Sequence, residues 1–176
     1  MRGGPKEQWQ ITAESAWHQG MTVIAPDLRG HGANVTAPAL TLSQADYYAM
    51  TLDVKASVDW LRSQGATQIA LVGASIGANL ALRYAADDPT IRTVVLLSPG
   101  LEYKGLTTKD ALERYGQRPL LIIASSEDSY AARSSNYLDG AAKGAHQLLS
   151  LTNAGHGTTM LNRDPTVQGK IGRAHV

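Results

Sequence analysis

Three residues of this chain have the types needed for acyl chemistry and stand in loops that could present them: Ser75, Asp128 and His156. A serine hydroxyl is nearly unreactive at neutral pH. It needs a base to take its proton, and the base needs an acid to fix its tautomer and stabilise its charge. Ser75 lies in LVGASIGANL (71–80), where an apolar run gives way to small, helix-favouring residues, with Gly73 two positions before it and Gly77 two after. A serine forced into a strained strand-to-helix turn needs both of those positions bare, so that strand and helix can pass closely. The Ile76 N–H, at the start of the following helix, then faces an oxyanion formed beside Ser75 and is helped by the helix dipole.

Asp128 follows the apolar run PLLIIA (119–124) in SSEDSY, and His156 lies between Gly155 and Gly157 in TNAGHGTTM, after the run 146–151. The order along the chain is therefore Ser, Asp, His. Two other carboxylates compete for the acid's role: Glu127, adjacent to Asp128, and Glu102, after the run that ends in Ser98. Asp128 is the preferred reading. Among the remaining histidines, His31 in DLRGHG precedes the serine and reads as a structural turn residue. His18 and His146 read as ordinary helix and strand positions.

These residues must be positioned by regular elements, and the pattern supplies them. Short apolar, β-favouring runs at 21–25, 68–73, 93–98, 119–124 and 146–151 alternate with segments of helical period at about 7–19, 44–63, 76–86, 108–115 and 129–143, with a stub after Asp164. That alternation predicts an α/β fold with a mostly parallel sheet and helices on both faces. The runs are near-continuously apolar, as befits strands covered on both sides. Residues 26–44, rich in Gly, Pro, Thr and Asn, read as a long functional loop.

Composition narrows the classes. The 176 residues with 43% apolar content suit a single domain, placed at 1–170. A net charge of +1, without a basic run, argues against nucleic acid as a partner. Cysteine is absent, which removes disulfides, thiolate metal sites and a thiol nucleophile. No phosphate-cradling loop, dinucleotide fingerprint or metal-ligand cluster stands out, so neither a cofactor nor a metal is expected. No apolar run reaches the roughly 18 residues of a membrane span, and no secretory signal is evident. The cytoplasm is the default location, unless a segment ahead of Met1 carries an export signal.

DLRGHG (27–32), GASIG (73–77), SSED (125–128) and NAGHGTTML (153–161), in that order, resemble the α/β-hydrolase family across nearly the whole chain. The resemblance implies a serine hydrolase working through an acyl-enzyme, in which Ser75 attacks, His156 shuttles the proton and Asp128 orients His156. It implies no catalytic duty for the turn 27–32. About twenty residues separate Leu97 from Arg118, which leaves no room for a lid domain, so the chain is similar to compact, lidless esterases of the dienelactone-hydrolase kind. Unlike those hydrolases, whose nucleophile is cysteine, it carries serine, pointing to ester, thioester or amide substrates. The implied partner is a small ester-type molecule, with a pocket lined by Pro99, Leu101, Tyr103 and Tyr130. An acyltransferase or peptidase with the same three residues, or a non-catalytic binding protein on the same fold, are the competing readings.

The resemblance also implies pieces outside the chain. MRGGPKEQW resembles the tail of the family's oxyanion loop, making the Arg2 N–H the second oxyanion donor, with the first three strands of the family's sheet missing. The last six residues, IGRAHV (171–176), match one reading frame of a common sequencing-adapter oligonucleotide and are set apart as a suspected non-native tail. The chain is thus expected to be a fragment. Expressed alone, it is expected to be poorly stable and weakly active, with either a gap left in the sheet or the run 21–25 slid over to pair with 68–73.

Overall fold

A computed structural model describes residues 4–35 and 41–174. They fall into two compact units, 1–67 and 68–176.

The first unit holds a short 3₁₀ turn, Lys6–Trp9, leading into helix α1 (Gln10–His18), and the long helix α2 (Gln44–Ser63). The start of α2 is fixed by its own sequence. Ser43 accepts from the Asp46 N–H while the Asp46 carboxylate accepts from the Ser43 N–H, a reciprocal capping box that satisfies two otherwise orphaned donors. Residues 21–28 form no strand, which corrects the expectation for 21–25. A strand exists only through ladder partners, and among the described residues this run has none.

The turn 27–32 is organised by one carboxylate. Asp27 accepts from the backbone N–H and the Nζ of Lys6 at 2.8 and 2.7 Å, and from the Ala33 N–H at 3.0 Å. His31 is buried, and its Nδ1 meets the Arg29 carbonyl, a structural arrangement that fits a turn residue. The Lys6 hydrogen bond, chiefly, pulls the Asp27 carboxyl down to about 2 from its ordinary 3.8. A depressed acid stabilises the fold fully above its ordinary value and loses that contribution as pH falls through the folded value. Between about pH 4 and pH 2 the wild type should therefore lose more stability than Asp27→Asn. Thermal midpoints of the two proteins plotted against pH should lie apart at pH 6 and converge at the acid end.

The second unit is a four-stranded parallel sheet with helices packed on it. Its strands are β1 (Ile69–Ala74), β2 (Ile91–Leu97), β5 (Leu120–Ser125) and β6 (His146–Leu151), in the order β1-β2-β5-β6. A small antiparallel hairpin, β3 (Glu102–Tyr103) with β4 (Leu106–Thr107), lies between β2 and β5 in sequence. The crossovers run through α3 (Ile76–Asp87), α4 (Lys109–Tyr115) and α5 (Ser129–Ala141), and α6 (Thr159–Arg163) and α7 (Pro165–Arg173) follow β6. Right-handed crossovers that all step the same way lay their helices on one face, and α3, α4 and α5 do pack side by side.

Burial follows strand position. All of β5 and all of β2 except Arg92 are buried, whereas the edge strands β1 and β6 are only partly so. Each fully buried Leu, Ile or Val in the inner pair contributes about 1.5–3 kcal/mol, so this pair forms the rigid floor of the site. Helix α7 takes in 171–173, the first three residues set apart as a tail, and Ile171 on it is buried. No helix among the described residues is long and apolar enough to cross a membrane.

Candidate active site

The carboxyl ends of β1, β2, β5 and β6 meet at one rim of the sheet, where doubly wound folds gather their ligands. Ser75 follows β1 directly. Its backbone sits at φ 55°, ψ −123°, outside the helix that begins at the next residue, and its N–H donates to the Leu97 carbonyl at 2.8 Å. A side chain bearing a Cβ adopts that left-handed region only under restraint. The following Ile76 N–H heads α3 and is one of the amides a helix leaves without an intrahelical acceptor.

The two flanking glycines are not equivalent. A Cβ on Gly73 would overlap the backbone carbonyl of Gly77, whereas a Cβ on Gly77 would meet nothing. The expectation that both must be bare is thus corrected: strand and helix close on each other over residue 73 alone. Gly73→Ala should destabilise the protein by about 1–3 kcal/mol and displace Ser75. Gly77→Ala should be tolerated, with a gain of about 0.5–1 kcal/mol from helix propensity. Thermal unfolding of the two variants checks the contrast, and equal losses would contradict it.

His156 comes from the loop after β6, with Nε2 at 2.8 Å from the Ser75 Oγ. Its Nδ1 is hydrogen-bonded to Asp128 Oδ2. A carboxylate only accepts, so Nδ1 carries the proton and Nε2 is left to accept from the serine hydroxyl. Asp128 is also the N-cap of α5, its Oδ1 accepting from the Ala131 N–H at 3.5 Å. The start of α5 thereby fixes the carboxylate that meets the imidazole. The side chains of His156 and Asp128 keep 24% and 17% of their surface exposed, so the site is open to a solute yet largely desolvated.

Glu127 does not compete for the histidine. Its Oε2 accepts from the Ser125 hydroxyl at 2.5 Å and the Asn153 N–H at 2.9 Å, and its Oε1 from the Gly155 N–H at 2.6 Å. The Ser125 hydroxyl first, then these amides, hold its carboxyl down at about 2. Glu102 is likewise engaged elsewhere, accepting from the Gly105 N–H across the β3–β4 turn.

The hairpin brings Tyr103 to the site. Its ring lies edge-on to the His156 imidazole, centroids 6.4 Å apart, and against Tyr130 at 5.5 Å. Burial, with the Asp128 charge behind it, pushes the Tyr103 phenol well above its ordinary value, and its hydroxyl donates to the Ser98 carbonyl at 3.4 Å. The phenol therefore remains a donor throughout the neutral range. The hairpin is pinned by polar anchors that sequence reasoning did not find. Buried Asn79 of α3 donates to the Leu106 carbonyl at 2.7 Å and accepts from the Gly100 N–H at 3.1 Å. The Tyr130 hydroxyl accepts from the Glu102 N–H and donates to the Glu102 carbonyl. Leu101 is held through its N–H by the Ser134 Oγ, and Pro99 is buried beneath. Arg2 lies outside the described residues.

A parallel sheet with helices packed on it and its strand ends gathered at one rim defines an α/β class. The family profile described as alpha/beta hydrolase fold matches residues 2–113, and the chain belongs to that family. A comparison with curated protein sequences finds no match. Among solved structures, the chain resembles a serine hydrolase from the polyaromatic-hydrocarbon-degrading bacterium Cycloclasticus zankles, at 14% identity, TM-score 0.77, over 97% of this chain and 84% of that one. It also resembles an esterase of Pyrococcus furiosus, at 18% identity, TM-score 0.73, over 96% and 74%. A dienelactone hydrolase from Anabaena variabilis aligns at 19% identity and TM-score 0.70, over 94% and 74%. At these identities the likeness establishes the fold.

Proposed function

We propose that this protein is a serine hydrolase cleaving carboxylic esters, or related thioesters or amides, through an acyl-enzyme. The observation that carries the reading is the continuous hydrogen-bonded path from Ser75 through His156 to Asp128, built on a serine held at positive φ. The Ser75 Oγ attacks the substrate carbonyl carbon as His156 Nε2 takes its proton, and the carbonyl π pair moves onto oxygen. The resulting oxyanion accepts from the Ile76 N–H at the head of α3. Collapse breaks the bond to the leaving alkoxide, which takes the proton back from His156. A water molecule then repeats the sequence on the acyl-serine and releases the acid. General-base help contributes about 10²–10⁴ and an oxyanion donor about 10²–10³ in rate, which is why these groups sit on rigid strand ends.

Pro99, Leu101, Tyr103 and Tyr130 are proposed to wall the substrate pocket, which suits a small ester. The serine hydrolase and the esterase among the structural neighbours support the same class. A fluorophosphonate probe should label the wild-type protein once, on the peptide containing Ser75, as read by mass spectrometry. Labelling elsewhere, or none from a folded protein, would remove the reading.

A further inference from the structure

The loop that delivers His156 has an unusual backbone. From Asn153 to Gly157 the sign of φ alternates, positive at Asn153 (57°), Gly155 (83°) and Gly157 (59°). Alternation of that kind turns successive N–H groups toward a common side and creates a concavity for an anion. Four of the five N–H groups in 153–157 are claimed by side chains from other strand ends: Asn153 and Gly155 by the two oxygens of Glu127, Ala154 by Ser125 Oγ and Gly157 by Ser98 Oγ. Ser125 in turn donates to Glu127, which closes the network. The residue between the last two anchors is His156.

We infer that Glu127 is a positioning residue: its carboxylate is the anion that this loop folds around, and it sets where the His156 imidazole stands between Ser75 and Asp128. The inference rests on the hydrolase reading for its kinetic consequence, but not for its structural one. An imidazole Nε2 at 2.8 Å from a hydroxyl leaves little room for error, and a misplacement of about 1 Å costs on the order of 10² in rate. Isolated glycines at 155 and 157 would let the loop wander. The carboxylate supplies what the backbone lacks, two acceptors at fixed separation for donors two residues apart.

Glu127 is solvent-facing, so the vacancy left by Glu127→Ala is open to a small anion, and that gives the test. Glu127→Ala should lower kcat for a short-chain nitrophenyl ester by about 10- to 100-fold with KM changed little, and added formate should restore part of kcat. Glu127→Gln fills the same space but sets amide hydrogens against the Asn153 or Gly155 N–H. It should lose a similar factor and gain nothing from formate. Asp128→Ala is the control for formate acting at the wrong carboxylate. A readout independent of turnover is the low-field proton resonance of His156 Nδ1–H bonded to Asp128. It should be sharp in the wild type, broadened by exchange in Glu127→Ala, and sharpened again by formate.

If no ester is turned over but the resonance follows this course, the positioning role stands and the hydrolase reading falls. Folded Glu127→Ala or Glu127→Gln with wild-type kcat and an unaltered resonance overturns the proposal. Should Glu127→Ala fail to fold, the Glu127→Gln arm decides on the same two measurements.

Discussion

Ser75→Ala is expected to lower kcat for ester hydrolysis by about 10⁴- to 10⁶-fold, down to what binding and the oxyanion donor alone provide. The magnitude follows from the Ser75 hydroxyl being the group that meets the His156 Nε2, at 2.8 Å. In the proposed mechanism, its loss leaves His156 no nucleophile to deprotonate and closes the acyl-enzyme route. A second substitution separates chemistry from fold. Ser75 is held at φ 55°, where a Cβ costs about 1–2 kcal/mol, and Ser75→Gly removes that strain. It should be as inactive as Ser75→Ala, yet unfold about 2–4 °C higher than that variant, the shift expected for about 1 kcal/mol in a chain of this size. A position that gains stability when its Cβ is removed is holding backbone strain. Turnover by Ser75→Ala within tenfold of wild type would end the hydrolase reading.

The inner strands were legible because their physics is local: TVVLL and LLIIA are apolar at successive positions, as only a strand buried on both faces requires. The rim followed from the apolar runs as a set, since Ser75 comes shortly after β1, Asp128 after β5 and His156 after β6. Residues 21–25 carry an equally good strand pattern and form none, because a ladder needs a neighbour and a pattern cannot report one. Gly77 illustrates a different limit. Two glycines about a serine look symmetric in sequence, but only the coordinates reveal which one faces the opposing carbonyl. The β3–β4 hairpin was missed although its turn residues, Lys104 and Gly105, both lie at positive φ. Lys-Gly is a weaker signal than Asn-Gly for such a turn. The Glu127 network was readable in part: Asn, Gly and Gly at alternate places in NAGHG are residues that tolerate left-handed backbone. What no pattern could supply is that the acceptor for those amides, Glu127, stands next to Asp128, twenty-six residues earlier than Asn153.

That adjacency makes Asp128→Asn the sharpest test of how the two carboxylates divide their work, and kcat is expected to fall by about 10⁴-fold. Asparagine can donate toward Nδ1, which then gives up its proton, so the imidazole holds its hydrogen on Nε2 and can no longer accept from Ser75. The imidazolium formed during attack also loses its counter-charge. The fold should scarcely notice, because Asp128 caps α5 through Oδ1 and asparagine caps about as well. Glu127 cannot take over: both of its oxygens are committed to Ser125, Asn153 and Gly155, and releasing them would unmoor the loop that carries His156. The expected pair of results is therefore asymmetric. Asp128→Asn gives a large loss with a nearly unchanged thermal midpoint, and Glu127→Gln gives a smaller loss. If Asp128→Asn instead lost less than tenfold while Glu127→Gln lost the larger factor, the roles assigned to the two acids would have to be exchanged.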